Sequence, residues 1–228
     1  MAQSQERHLR FAVLATDVAL FTIKDNRLLV RVTKVNRPPH FKNMRGLPGG
    51  LIAPQETAEE AVSRLILDKA KLDSKKVYIE QLYTFSTIDR DPRGRVVAVA
   101  YLGLVPWEKL SLTERGEAED SQWVEPTDIG KLAYDHNEIL LLALSRLKSR
   151  VTYTTLMSKI LPKEFTLTEL EQAYENTLYI ELDKRNFRKK ILKLKVLSEV
   201  PRKRQAGKSR PAQLYKFSSE KVSEINII

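Results

Sequence analysis

Residues 50–72, GLIAPQETAEEAVSRLILDKAKL, decide the interpretation of the N-terminal part of the chain. They follow the turn-forming sequence LPGG, which ends at Gly50. From about Thr57 the apolar residues recur every three or four positions, which indicates an amphipathic helix. Five residues separate Gly50 from Glu56, and seven separate Glu56 from Arg64. The stretch is therefore interpreted as a glycine turn that leads into a helix with fixed polar positions.

Strands predicted on both sides of this helix complete an α/β unit. Alternating residues at 10–20 and an apolar, β-branched run at 28–33 are separated by Lys-Asp-Asn, which is typical of a hairpin. Further strands are predicted at 78–86, 95–105 and Ser121–Val124. The loop DRDPRG, at 89–94, joins the first two of these. We predict a mixed sheet with few helices over residues 1–133.

The pattern becomes helical after Tyr134. NEILLLALSRLK, at 137–148, predicts a helix that links two domains, and a short helix is predicted at 154–161, before Pro162. Thr166 and Glu169 have the spacing of a capping box, which marks the start of the next helix. These elements form the first part of a second domain.

The end of this second domain is predicted to be a helix followed by a β-hairpin. Asp183 is placed to cap a helix over 184–194. Apolar strands at 196–200 and 213–217 then bracket a charged tip. Three helices followed by a hairpin, within residues 151–228, are the element order of a winged helix-turn-helix.

Positive charge is concentrated in this second domain. The formal net charge is +10, of which residues 151–228 contribute +7 and residues 1–150 only +3. Residues 183–216 contain 13 lysines and arginines against two acidic residues, a local charge of +11. A field of this kind indicates a polyanionic partner. A solvated basic face or a membrane-surface patch is the alternative.

The helix predicted after Asp183 has the properties of a DNA recognition helix. Phe187, Ile191 and Leu194 fall on one side and are expected to hold it against the domain core. Arginine can pair bidentately with guanine, and asparagine with adenine, in the major groove. The candidate DNA-binding residues of this helix are Lys184, Arg185, Asn186, Arg188 and Lys189. A basic surface helix without a nucleic-acid role is the alternative.

The charged tip of the hairpin is predicted to contact the DNA backbone. Contacts to phosphates position a protein on the duplex without reading its sequence. The candidate residues of this wing are Arg202, Lys203, Arg204, Lys208, Ser209 and Arg210.

The helix at 50–72 carries part of the Nudix pyrophosphatase signature, G-x5-E-x7-R-E-U-x-E-E-x-G-U, where U is aliphatic. The matching residues are Gly50, Glu56, Arg64, Ile66 and Leu72. Where Nudix hydrolases have the glutamates that hold magnesium, this sequence has Leu65, Asp68 and Lys69. Hard divalent cations need several oxygen ligands. We therefore predict no catalytic residues, no metal site and no enzymatic activity.

Five segments resemble the Nudix-related transcriptional regulators of the NrtR type. They are FSTIDRDPRGRVVAVAYLGLVP (85–106), YDHNEIL (134–140), FTLTELEQAYE (165–175), LDKRNFRKKIL (182–192) and GKSRPAQLYKF (207–217). The segments occur in the right order, and the resemblance extends over nearly the whole chain. The resemblance implies an α+β protein. A Nudix-like α/β/α sandwich with a mixed sheet over 1–133 is joined by a linking helix over 134–150 to a winged helix-turn-helix over 151–228.

The resemblance also implies a function. In this family the Nudix domain is a ligand sensor, and the winged helix binds a palindromic operator as a homodimer. We expect a repressor of NAD metabolism genes that senses ADP-ribose or a related metabolite without hydrolysing it and requires no cofactor. The alternatives are a sugar-responsive regulator of carbohydrate genes and a magnesium-dependent hydrolase of ADP-ribose.

Arginines are the candidates for binding the ligand, because their guanidinium forks suit phosphate oxygens. The candidate residues are Arg37, Arg45, Arg64, Arg90 and Arg93. Arg64 has an alternative role in a salt bridge to Glu56 or Glu60. Arg90 and Arg93 could instead couple the two domains or belong to a purely structural turn.

Composition favours a cytoplasmic protein. The chain has no cysteine, which excludes disulfides and zinc–thiolate sites. The longest apolar run, at 139–144, is far shorter than the ~18 residues of a membrane-spanning helix. We therefore expect neither a signal peptide nor a membrane span. His8, His40 and His136 are scattered along the sequence, so a metal cluster among them is not expected.

Overall fold

The computed structural model describes residues 12–116, 120–205, 211–225 and 227. Its N-terminal part is a seven-stranded mixed sheet. The strands are β1 (Val13–Lys24), β2 (Arg27–Arg37), β3 (Phe41–Gly46), β4 (Gly49–Leu51), β5 (Tyr78–Phe85), β6 (Val96–Leu104) and β7 (Ser121–Val124). Strands β3-β2-β1-β6-β5 are successive neighbours, with β4 paired to β1 and β7 to β2. Strands β1 and β6 are parallel, and the other pairs are antiparallel.

Helices cover both faces of this sheet. They are α1 (Ala58–Leu65), α2 (Leu112–Arg115) and α3 (His136–Tyr153). Successive side chains of a strand point to opposite faces. Val18 and Leu20 of β1 accordingly pack in the cluster that contains residues of α1, whereas Ala19 and Phe21 pack in the cluster that contains residues of α3. The predicted α/β/α sandwich with a mixed sheet is confirmed.

Helix α1 begins and ends with local devices that the sequence encodes. The Thr57 hydroxyl accepts from the Glu60 amide (3.2 Å), and Glu60 accepts from the Thr57 amide (2.7 Å). After Leu65 the helix continues as a π-helical turn, Ile66–Ala70, and ends at Lys71 with φ of 59°. Lys71 stands where the Nudix signature has a glycine, although a left-handed conformation costs a non-glycine residue about 1–2 kcal/mol. The signature's turn is therefore kept without its glycine.

The C-terminal part is a winged helix-turn-helix. It contains α4 (Leu167–Leu178), α5 (Lys184–Lys193) and a three-stranded sheet in the order β8-β10-β9, formed by β8 (Phe165–Thr166), β9 (Leu197–Arg204) and β10 (Ala212–Phe217). The predicted capping box at Thr166 and the predicted N-cap at Asp183 are both present. The segment predicted as a short helix over 154–161 is instead a 3₁₀ helix, Thr155–Lys159. Only a few residues separate it from Pro162, so an α-helix has little room to propagate.

Helix α3 joins the two parts through one continuous core. Ile139 and Ala143 lie in the same apolar cluster as Val151, near the end of α3, and Leu170 of α4. The linking helix is therefore part of the packed core of both units.

Although α3 has 18 residues, neither it nor any other helix within the described residues is long and apolar enough to cross a bilayer.

Candidate functional site

A cavity of about 660 Å³ lies against the seven-stranded sheet. Its walls come from β1, β2, β4, the turn after α1 and the loop between β5 and β6. The glycines of LPGG make its floor compact, because a Cβ atom on Gly49 would lie 1.9 Å from Oδ1 of Asp17. A Cβ atom on Gly50 would lie 2.9 Å from Leu65 Cδ2. Only glycine fits this close approach of backbone to side chain.

A buried network of ionisable groups lies at the inner end of the cavity. Arg90 donates to both carboxylate oxygens of Asp135 and, over 3.4 Å, to Asp17. His136 accepts from the Leu47 amide through Nδ1 (2.9 Å), and its Nε2 lies 3.3 Å from Asp17 Oδ1. Burial alone raises the pKa of Asp17, but His136 and Arg90 outweigh it and lower that pKa below its usual value. The network therefore holds an ionised aspartate beneath the cavity.

Arg93 and the ring of Tyr134 form part of the cavity wall. The Arg93 guanidinium pairs with the carboxylate of Asp91, with nitrogen–oxygen distances of 2.6–3.2 Å. Its central carbon also lies 5.5 Å from the centre of the Tyr134 ring, and the ring of Phe41 is 4.2 Å from the same ring. Tyr134 lines the cavity and has a left-handed backbone, with φ of 55°. Tyr134 therefore places an aromatic ring in the lining of the cavity, next to the Arg93 guanidinium.

Arg64 is held by the acid eight positions before it. Its Nε donates to Glu56 Oε2 (3.0 Å), its Nη2 contacts Glu56 Oε1 and the Leu51 carbonyl, and Asp68 lies 3.8 Å from Nη1. The hydrogen bonds from Arg64 and from the Ala53 amide lower the pKa of Glu56 to about 2. Arg64 lines the cavity, but the salt bridge foreseen as its alternative role is present.

Three cations of the cavity wall have no such partner. Within the described residues, no carboxylate lies within 4.0 Å of the side-chain nitrogens of Arg37, Lys69 or Lys71. Of the other lining cations, Lys34 lies 3.9 Å from Asp120, and Arg90 is paired as described above. The unpaired positive charge of the cavity therefore comes from one predicted arginine and two lysines that were not predicted to bind ligand.

Arg45 lies outside the cavity lining. Its guanidinium donates to the Ile129 carbonyl (3.1 Å), and its own carbonyl accepts from the Ala133 amide (2.8 Å). Arg45 thereby ties β3 to the segment before α3. Of the five predicted ligand-binding arginines, the structure brings four to the cavity and gives Arg45 a structural position.

Helix α5 presents a basic face to solvent. Phe187 and Ile191 are buried, and the Phe187 ring packs 5.2 Å from the ring of Tyr174, while Leu194 is partly buried against the same core. This is the inner side predicted for the helix. On its exposed side, no ion pair within the described residues engages the predicted DNA-binding residues Lys184, Arg185 and Lys189.

Two predicted residues of α5 are engaged within the protein. Arg188 forms a two-point contact with the carboxylate of Glu171, with Nη2 2.9 Å from Oε2, and also donates to Thr168 (3.2 Å). Glu171 is only 1% exposed, so this pair ties α4 to α5. The Asn186 amide group donates to the N-cap Asp183 (2.7 Å). The side chains of Arg188 and Asn186 therefore stabilise α5 in this structure.

The wing is also basic and partly paired. Arg202 contacts Glu164, Arg204 contacts Glu169, and both acids precede or begin α4. Lys203 is exposed on the same strand. The predicted contacts Lys208, Ser209 and Arg210 lie outside the described residues.

Comparisons with known proteins match both halves of this arrangement. Residues 13–143 match the NUDIX domain, and residues 157–217 match the NrtR DNA-binding winged helix domain. The chain is 33% identical over 222 residues to the ADPR responsive transcriptional repressor NtrR of Acinetobacter baylyi, covering 96% of this chain and 87% of the relative.

This chain belongs to the NrtR family.

Solved structures extend the match to both parts of the NrtR fold. Shewanella oneidensis NrtR complexed with a 27mer DNA is 31% identical, with a TM-score of 0.78, over 90% of this chain and 93% of that chain. The NUDIX domain of the same protein, complexed with ADP ribose, is 32% identical, with a TM-score of 0.52, over 61% of this chain and 90% of that chain.

The residues at the metal-binding positions of the Nudix signature in this NrtR family member do not fit magnesium, the ion that Nudix hydrolases use. Leu65 is buried and has no donor atom, Lys69 is a cation, and Asp68 lies 3.8 Å from Arg64. Glu56 is already engaged by Arg64. Among the described residues, no group of three or more His, Asp or Glu side chains is placed to hold a metal ion. The donor set is therefore too small for a hard divalent cation.

Several residues that line the cavity escaped prediction from the sequence. Lys69 and Lys71 are visible in the sequence as departures from the signature, but neither was predicted to bind ligand. No local sequence pattern indicated that Tyr134 lines the cavity. Arg90 pairs with Asp17 and Asp135, which lie 73 and 45 positions away in the sequence. No local motif therefore connects Arg90 to these two acids.

Proposed function

We propose that this chain is an effector-responsive, DNA-binding transcriptional repressor of NAD metabolism genes, and that its effector is ADP-ribose or a closely related nucleoside diphosphate. One observation carries the proposal. The chain couples a cationic cavity in a Nudix fold to an exposed basic helix in a winged helix through one core, in which α3 takes part. The names of its relatives, an ADPR responsive repressor and a DNA-bound NrtR, support both halves of the proposal.

In this proposal the diphosphate is bound by the unpaired cations Arg37, Lys69 and Lys71. Their charges are not committed to a carboxylate of the described residues, so phosphate oxygens meet no competitor there. The ring of Tyr134, which lines the cavity, is proposed to contact the base. Arg64, Arg90 and Arg93 line the same cavity, and their role is to shape it through their acidic partners.

We further propose that the effector is bound and not hydrolysed. Hydrolysis by a Nudix enzyme needs a metal ion held by the acidic residues of the Nudix signature. Leu65, Asp68 and Lys69 do not offer that ligand set. An intact effector also suits a sensor, because cleavage would destroy the signal.

On the DNA side, Arg185 with Lys184 and Lys189 would enter the major groove, and the wing would contact phosphates. A homodimer is proposed, because a two-fold operator presents two equivalent half-sites, spaced by about 10–20 bp. The proposed division of labour assigns sensing to residues 1–133, linkage to 134–150 and DNA binding to 151–228. Such a regulator would act in the cytoplasm.

Selection of binding sites from a random duplex pool at physiological salt, with and without excess ADP-ribose, tests the proposal. A palindrome that is enriched and then lost with ADP-ribose is the expected result. A palindrome that is indifferent to ADP-ribose would redirect the search for an effector to sugars. Failure to enrich any sequence would overturn the DNA-binding role.

A further inference from the structure

Two arginines of the wing that the structure describes, Arg202 and Arg204, are both paired with acids. Arg202 on β9 donates from Nε to Glu164 Oε2 (3.1 Å), with a second contact from Nη2. Arg204, at the end of β9, donates to Glu169 Oε1 (2.6 Å) and to the Glu164 carbonyl (3.1 Å). Glu164, just before β8, and Glu169, in the first turn of α4, thus hold two of the basic residues that the wing would offer to DNA.

These two pairs differ in kind from the Arg188–Glu171 pair. Glu171 is buried, so its pair is a fixed tie between helices. The side chains of Arg202 and Glu164 are 68% and 25% exposed, and those of Arg204 and Glu169 are 44% and 38% exposed. Solvent-exposed pairs are individually weak. A phosphate can therefore displace the glutamates, but it must compete with them.

Competition of this kind acts mainly on sequence-independent binding. The attraction of Lys and Arg to phosphates supplies essentially all non-specific affinity, and its salt dependence grows with the number of phosphates neutralised. An arginine held by a glutamate contributes less to non-specific affinity than a free arginine does. An arginine released from its glutamate can follow any phosphate in reach, whichever sequence is bound. Operator binding depends in addition on base contacts from α5, which the wing pairs do not touch.

We propose that Glu164 and Glu169 are specificity-determining residues, which withhold Arg202 and Arg204 from phosphates and so suppress binding to non-operator DNA. The proposal rests on the DNA-binding function proposed above. It assigns a role in discrimination to two acids that never need to touch a base. It also means that the charge of +11 over residues 183–216 overstates the charge available to DNA, because Glu164 and Glu169 lie outside that range and offset part of it.

The test is Glu164→Gln combined with Glu169→Gln in the full-length chain. Glutamine keeps the volume and, at position 169, can still accept the capping-box hydrogen bond of the Thr166 amide. The matched control is Glu199→Gln, which removes one exposed acid from β9 that forms no ion pair within the described residues. Fluorescence anisotropy would measure Kd for a random-sequence duplex and for the selected operator over 50–200 mM salt.

We expect the double variant to bind random duplex roughly three- to tenfold more tightly, with a salt slope steeper by about 0.9 for each arginine that gains a phosphate. The operator should gain less, so that the ratio of the two Kd values falls. The gain from Glu164→Gln should also disappear in an Arg202→Ala background, because the effect passes through that pair.

Two results would overturn the inference while leaving the proposed function intact. One is a double variant that binds operator normally but random DNA no better than the Glu199→Gln control does. The other is an equal gain on both DNAs, which would make the acids modulators of affinity and not of discrimination. If the wild-type chain itself failed to bind any operator, that result would instead contradict the proposed function.

Discussion

Arg90 donates hydrogen bonds of 2.8 and 2.7 Å to the two carboxylate oxygens of Asp135, the residue immediately before α3. The same guanidinium reaches Asp17 beneath the cavity, and its side chain is only 3% exposed. Helix α3 then runs into the core shared with the winged helix unit. A single buried arginine thus connects the wall of the cavity to the helix that both units share.

Asp135→Asn should weaken the response to effector more than it weakens effector binding. The substitution removes the charge that anchors Arg90 to α3 but leaves the unpaired cations of the cavity in place. Coupling is the ratio of operator Kd values with and without effector. We expect this ratio to shrink severalfold in Asp135→Asn, whereas Asp89→Asn, an exposed acid of the DRDPRG loop, should leave it unchanged. An unchanged ratio in Asp135→Asn would show that the signal takes another route.

Removing the charges of Lys69 and Lys71 together should reduce effector affinity. Charge-assisted hydrogen bonds contribute about 1.5–3 kcal/mol each, so Lys69→Gln with Lys71→Gln should raise the Kd for ADP-ribose at least tenfold in calorimetric titrations. The matched control, Lys42→Gln with Lys75→Gln, removes two exposed lysines away from the cavity lining and should bind normally. Equal affinities of the two double variants would argue against lysine contacts to the diphosphate.

Arg185 and Arg188 should respond differently to replacement by alanine. Arg185 is exposed, and its loss should cost about 1–3 kcal/mol on operator DNA and little on random DNA. Arg188→Ala leaves the buried carboxylate of Glu171 without its arginine, so the free energy of unfolding should fall by roughly 1–3 kcal/mol. Urea unfolding and anisotropy titrations separate the two effects. A fully stable Arg188→Ala protein with a selective operator defect would restore Arg188 as a base-reading residue.

Acid should destabilise the Nudix unit through Glu114. Burial alone raises the pKa of Glu114, but hydrogen bonds from Lys76, Asp73 and Ser111 outweigh it and lower the pKa to about 2, against 4.5 for the free side chain. A folded-state pKa below the unfolded one stabilises above pH 4.5, and this contribution is lost as pH falls towards 2. Glu114→Gln should therefore be less stable than wild type at pH 7 and lose less stability between pH 5 and 3.

Fluorescence of Trp123 can follow this unfolding, because its Nε1 donates to the Glu114 carbonyl (3.1 Å). Glu181→Gln, a change at an exposed acid, serves as the control and should follow the wild-type curve. A Glu114→Gln curve parallel to wild type across this pH range would contradict the assignment.

Local sequence signals predicted most of the fold because the residues that carry them are neighbours in the chain. The capping residues Thr166 and Asp183 and the strand Ser121–Val124 are examples. The site was harder to predict, because its decisive contacts join distant residues. Helical periodicity correctly placed Arg188 on the outer side of α5, but it could not reveal that Glu171 of α4 packs against that side. Ion-pair partners across a fold depend on tertiary packing, which residue spacing does not encode.

We propose that an intact nucleoside diphosphate, bound without metal, controls operator binding. The most direct measurement is a titration of the operator-bound, full-length protein with ADP-ribose in the presence of EDTA, followed by anisotropy of the labelled duplex. We expect saturable release of the duplex in EDTA, an unchanged release curve with magnesium, and ADP-ribose recovered intact. Release that requires magnesium, or that proceeds with conversion of ADP-ribose to AMP, would contradict it.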